Sequence, residues 1–173
     1  MPPKGAFTPE NGRCRTVLCS DEFGVRIVRD LPGLPLLLFR AWTTPCIMKR
    51  WFHLGPAWVT AEVVVDLRVG GSYRVDMRDA TSKIYSYSGH YQEVREPGTL
   101  AFTWPPYGDR RAETLVVLRF RHSFAKGASS LELTHLGLLH EQMRDDHQAV
   151  WNLCLDRFQE TVHALLRTGI CPT

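Results

Sequence analysis

The stretch Leu139–Arg167 constrains this chain more than any other. Within it Trp151, Leu155, Phe158, Val162 and Leu165 recur at alternating steps of four and three residues, the period of one helical face. Cys154 and Leu166 widen that face, while Asn152, Asp156, Arg157, Gln159, Glu160 and His163 occupy the opposite one. The spacing therefore predicts a long amphipathic helix over Leu139–Arg167. At ~1.5 Å per residue such a helix is a rod of roughly 35 to 40 Å. A rod of that length needs a broad apolar partner.

The middle of the chain supplies one. From Ala61 to Leu136 the apolar period falls to two: Val63, Val65 and Leu67 alternate with Val64, Asp66 and Arg68. Gly70-Gly71 reads as a tight hairpin turn, and the return strand sends Tyr73, Val75 and Met77 one way and Arg74, Asp76 and Arg78 the other. Further strands are expected at Tyr85–Val94, Leu100–Trp104, Thr114–His122 and Ser130–Leu136. Their inward sets are Leu100, Phe102 and Trp104; Val116, Leu118 and Phe120; and Leu131, Leu133 and His135. This is the pattern of a half-solvated antiparallel sheet. Before it come a first strand at Gly24–Arg29, a turn at Asp30-Leu31-Pro32-Gly33, and two short helices. One spans Pro35–Trp42; the other has Thr44 as N-cap and Pro45 at its first position, where proline costs least.

Length and composition narrow the class. A chain of 173 residues is one domain, able to remove ~70% of its unfolded surface from water. We divide it into an N-terminal tail over 1–22, a folded domain over 23–168 and a short C-terminal tail over 169–173. No apolar run is long enough to span a membrane, and the opening MPPKGAFTPENGRCR has no signal-peptide core. A net charge of +3, spread along the chain, does not make the basic stripe of a nucleic-acid binder. The five cysteines (Cys14, Cys19, Cys46, Cys154 and Cys171) include no C-x-x-C pair, which argues for reduced thiols in the cytoplasm. The run HEQMRDDH, with His140 and His147, lacks the spacing that sets two imidazoles on one helical face. No metal site or cofactor is expected. Asp145 and Asp146 read as carboxylates facing the helix dipole. Gly70-Gly71-Ser72 leads into a strand, so it is neither a phosphate loop nor a nucleophile elbow.

The segments LLLFRAWTTPCIMKRWF, DLRVGGSYRVDMRD, SGHYQEVREPGTLAFTW and LELTHLGL, in this order, resemble the C-terminal domain of the activator of the heat-shock-protein-90 ATPase (the AHSA-type family). That family is a branch of the START-like, birch-pollen-allergen-like (SRPBCC) superfamily. The resemblance runs from about Gly24 to Leu166. It implies an α+β helix-grip fold: a curved antiparallel sheet of about seven strands around a long C-terminal helix, with two short helices between strands 1 and 2. It also implies a cavity between sheet and helix. Relatives often carry Gly-Trp in the last helix where this chain has Val150-Trp151, and valine suits a helix interior better than glycine. The activator's own N-terminal domain has no counterpart here, so chaperone activation does not transfer with the family.

Five tryptophans and eight phenylalanines are a heavy aromatic load, and flat rings suit flat ligands. The expected cavity lining is Phe39, Trp42, Trp51, Tyr73, Val75, Met77, Tyr91, Phe102, Trp104, Val116, Leu118, Phe120, Leu133, His135, Trp151, Leu155 and Phe158, around a hollow of roughly 300 to 1,000 Å³. His135 is the polar residue of most interest. It either offers a hydrogen bond or a base to a ligand, or sits buried, neutral and satisfied by the protein. Tyr91 is the candidate cavity hydroxyl. No catalytic signature is present, and the chain reads as a non-enzyme. The functional expectation is binding or sequestration of a small hydrophobic molecule, aromatic, polyketide-like or lipid-like, by a monomer or homodimer. The alternatives are a co-chaperone-type contact with a heat-shock ATPase, and a cyclase- or hydrolase-type cavity enzyme using His135.

Overall fold

A computed structural model describes residues 24–105, 113–123 and 127–169, and the backbone of 14–16. Two strands open the chain, β1 (Cys14–Thr16) and β2 (Gly24–Pro32), followed by the helices α1 (Pro35–Thr43) and α2 (Pro45–Trp51). Six strands come next: β3 (Val59–Val65), β4 (Ser72–Arg78), β5 (Ile84–Arg95), β6 (Thr99–Trp104), β7 (Thr114–His122) and β8 (Ala128–Leu136). The chain closes on α3 (Glu141–Thr168). All strand pairs are antiparallel, in the order β1-β2-β8-β7-β6-β5-β4-β3. The three helices pack on the inner face. This is the α+β helix grip anticipated above.

The period-two residues decide which face that is. Val25, Ile27 and Leu31 of β2, Tyr73, Val75 and Met77 of β4, and Val116, Leu118 and Phe120 of β7 are all buried. They meet Trp151, Leu155, Phe158, Val162 and Leu165 of α3, which are buried as well. Burying one such side chain contributes about 1.5 to 3 kcal/mol, so the two periodicities stabilise one another. β-bulges at Thr60/Glu62 and Tyr91/Glu93 add local twist to the sheet.

Several details differ from expectation. Cys14–Thr16 lies in the segment read as tail, yet it pairs with β2; the rest of 1–22, and 170–173, lie outside the described residues. Asp30-Leu31-Pro32 is strand, not turn, because each residue has a partner on β8 and Leu31 is fully inside. The Gly70-Gly71 turn is longer than a tight hairpin. β3 stops at Val65 and Leu67 is exposed, because Asp66 turns back to bond Ser72 and Arg68. A Cβ on Gly71 would stand 2.1 Å from the Asp66 carbonyl oxygen, so only glycine fits there. Thr44 precedes α2 but its side chain makes no capping bond. α3 begins at Glu141, so Asp145 and Asp146 fall beyond its first turn, and Asp146 accepts a hydrogen bond from Gln142 at 2.9 Å. Leu166, assigned to the apolar stripe, is exposed while its neighbour Leu165 is buried, because one further residue turns it about 100° round the helix axis, off the packed face. No described helix is long and apolar enough to cross a membrane.

Candidate functional site

Between the inner sheet face and the helices runs an aromatic slit. α1 contributes Trp42, and α2 contributes Met48 and, at its C-terminal boundary, Phe52. The strands contribute Tyr73 and Val75 from β4, Tyr91 from β5, and Phe102 and Trp104 from β6. The free volume these eight enclose is about 10 Å³, room for one water. The expected hollow is thus filled. Trp42 and Trp51 lie with ring centroids 4.5 Å apart, Trp42 and Phe158 at 5.2 Å, and Trp104 and Trp151 at 5.3 Å. These are the tilted and edge-on contacts that aromatic quadrupoles favour, and they close the space the strands curve around.

Of the expected lining residues, Trp42, Tyr73, Val75, Tyr91, Phe102 and Trp104 reach the slit. Phe39, Trp51, Met77, Val116, Leu118, Phe120, Leu133, His135, Trp151, Leu155 and Phe158 are buried in the surrounding core instead. Met48 and Phe52 were missing from the expected lining. Their spacing of four on one short helix is the signal that finds them.

The tryptophans are held in different ways. Trp51 Nε1 donates to the Ala41 carbonyl at 3.1 Å, and Trp151 Nε1 donates to His135 Nδ1 at 3.0 Å. The ring nitrogen of Trp104 has no partner among the described residues. Its ring is held by near-parallel stacking on Tyr87, at 5.4 Å and 15°, and on Tyr73, at 6.4 Å and 14°. Phe52 lies against it at 5.8 Å.

Behind the slit lies a buried polar chain. Trp151 donates to His135 Nδ1, so the imidazole proton must sit on Nε2. That nitrogen is 2.7 Å from Thr114 Oγ1, and the Thr114 hydroxyl donates to the Trp104 carbonyl at 2.7 Å. Every group in the chain is satisfied by one tautomer. Burial, and secondarily the His147 ring 4.9 Å away, push the His135 pKa down to about 3. His135 is therefore the buried, neutral, protein-satisfied histidine of the two expected possibilities, with both nitrogens occupied. His147 is fixed by Nδ1 on the Met143 carbonyl at 2.8 Å.

Tyr73 and Tyr91 keep their protons. Burial raises the phenol of Tyr73, with smaller contributions from Tyr91 and Glu113, and burial raises Tyr91. Tyr73 donates its hydroxyl to the Thr103 carbonyl at 2.7 Å. Burial likewise pushes the Cys154 thiol up to about 12, a small hydrophobe in effect. Sequence inspection missed Arg29, which points inward in phase with Val25 and Ile27. Its guanidinium pairs with Asp156 and donates to Asn152 Oδ1 at 3.0 Å, tying β2 to α3. Among the described residues no group of three or more histidine, cysteine, aspartate or glutamate side chains could hold a metal ion.

Comparison with known proteins agrees with this architecture. The family described as "Activator of Hsp90 ATPase homolog 1-like protein" matches residues 35–163. Protein NE0264 from Nitrosomonas europaea superposes with a TM-score of 0.72 at 20% identity, over 86% of this chain and 99% of that one. An AHSA1-like protein from Aeromonas hydrophila gives 0.70 at 22% identity, with the same 86% and 99% coverage. CalU16 from Micromonospora echinospora gives 0.63 at 21% identity, over 91% of this chain and 88% of that one. At these identities the likeness is one of fold. Comparison with curated proteins gives no match.

Proposed function

The chain belongs to the Activator of Hsp90 ATPase homolog 1-like family, and from that premise we propose that it binds a small, flat, hydrophobic molecule in the slit closed by Trp104. The fold is compatible with ligand binding. The strongest support for this particular site is Trp104, whose backbone is fixed through its carbonyl while its ring is held by ring–ring contacts alone. Swinging that ring aside loses about 0.5 to 1.5 kcal/mol for each aromatic pair, on top of the burial of the indole itself. A flat ligand taking its place restores those contacts. Removing ~150 Å² of the ligand's apolar surface from water contributes about 4 kcal/mol. The slit is thus the closed member of a closed–open equilibrium that a ligand shifts by binding the open form.

Binding and sequestration are favoured over catalysis by the state of His135, since a general base needs a nitrogen free to meet the substrate. Contact with a heat-shock ATPase gains no support from any particular surface feature among the described residues. We assign the chain to the cytoplasm, in keeping with a buried free thiol at Cys154.

Titration with 1-naphthol and with flavone, followed by tryptophan emission, tests the proposal. Saturable quenching by at least one of them is expected. Unsaturated, linear changes with both would contradict it.

A further inference from the structure

The polar tips that line the slit say more about its guest than the rings do. None of the lining residues is a lysine, arginine, histidine, aspartate or glutamate. A charged guest would lose its hydration there without gaining an ionic partner. Four lining residues, Trp42, Tyr73, Tyr91 and Trp104, end in a group that forms hydrogen bonds. Tyr73 spends its hydroxyl on the Thr103 carbonyl at 2.7 Å. The Tyr91 hydroxyl and the ring nitrogens of Trp42 and Trp104 have no partner among the described residues. An indole N–H can only donate, and a phenol donates readily. An acceptor oxygen is the one guest group that all three can serve. From the binding role proposed for the slit, and resting on it, we propose that the guest is a neutral, flat molecule with an acceptor oxygen, such as an aromatic ketone, held by the Tyr91 hydroxyl.

Tyr91 is the fixed member of the three. Its N–H donates to the Gly71 carbonyl at 2.9 Å, and its own carbonyl accepts from the Gly70 N–H at 2.7 Å. Its ring lies 5.7 Å from that of Tyr73 and 6.2 Å from that of Phe102. Backbone and ring are thus committed, and the hydroxyl alone is left over. Tyr91 is only 3% exposed, yet its oxygen is not sealed. Among the described residues, the unbonded side-chain atoms that are closed off completely are Arg29 Nε and Asp76 Oδ1. The Tyr91 oxygen therefore borders space that a water-sized body can reach, in keeping with the one-water volume of the slit. Burial keeps the phenol protonated, so it remains a donor across the neutral range. A hydrocarbon covering this hydroxyl strands it without a partner, whereas a carbonyl oxygen satisfies it. A site of this kind discriminates against the analogue that lacks the polar atom.

1-Indanone and indane share a flat bicyclic frame and differ by one carbonyl, which makes them the probes. Their dissociation constants are measured by calorimetry on the full chain and on Tyr91→Phe. The ratio of 1-indanone affinity to indane affinity should fall on the order of tenfold in Tyr91→Phe. The substitution deletes a hydroxyl with no internal partner, so without ligand it should unfold at no lower urea concentration than the wild type. With tyrosine carbon-13 labelled at Cζ, the Tyr91 resonance should move further with saturating 1-indanone than with indane. An affinity ratio unchanged in Tyr91→Phe would overturn the assignment of the oxygen to Tyr91, while saturable binding of both compounds would leave the slit as a binding site. An equal Cζ response to the two compounds would overturn it as well. No saturable binding of 1-indanone would also overturn it; if 1-naphthol and flavone fail too, the binding role of the slit falls with it.

Discussion

Two adjoining parts of the sheet–helix interface keep their rings in place by different means. Around His135, position is set by directed bonds: Trp151 to imidazole, imidazole to Thr114, Thr114 to the Trp104 carbonyl. Around the Trp104 ring, position is set by ring contacts alone, with Tyr87, Tyr73, Phe52 and Trp151. A hydrogen bond between buried groups has a steep penalty when broken, because each partner is left unsatisfied. A stacked pair gives up less and can be replaced by any other flat surface. The first part is built to stay. On the proposed function, the second is where a guest is admitted.

Substitutions break this contrast in order of size. Trp151→Ala removes a large buried ring and leaves His135 Nδ1 without its donor, for a combined loss of about 5 kcal/mol in chemical denaturation. Trp104→Ala should cost about 3 kcal/mol, and millimolar indole should recover part of it by filling the vacated space. Equal losses at the two sites, with no recovery by indole, would erase the distinction between them.

Acid probes the first part alone. His135 has a folded pKa of about 3 against an ordinary value near 6.5. Between those values the unfolded chain binds the extra proton, so this contribution is complete above about pH 6.5 and is lost as pH falls toward 3. At pH 5 the loss is about 2 kcal/mol. His135→Gln can accept from Trp151 and donate to Thr114 without titrating, and its unfolding free energy should fall correspondingly less between pH 7 and pH 5. Smallest is Tyr73→Phe, which removes one bond to the Thr103 carbonyl and should cost about 1 kcal/mol by thermal or urea unfolding.

What could be read from the sequence follows the same division. The α3 stripe and the alternation in β4, β7 and β8 were legible because burial imposes a period on the residues themselves. Asp30-Leu31-Pro32 was misread because its turn chemistry is overruled by pairing with β8, a long-range constraint that local composition does not contain. Arg29 is in phase with Val25 and Ile27, so its inward direction was available from alternation. Its partner Asp156 was not, since that carboxylate sits on a helix face read as solvated. The slit was the least legible feature. Trp42, Phe52, Trp104 and Trp151 could be placed inside from their spacing, but whether they enclose a hollow depends on ring orientations, and those follow from packing in three dimensions.

The indole N–H resonances of the five tryptophans, recorded while 1-naphthol is added, test the central claim most directly. The Trp104 resonance should shift progressively and saturate, and by more than that of Trp151, whose N–H stays bonded to His135. Saturable movement of Trp151 with Trp104 unmoved, or no saturable movement of either, would contradict the account.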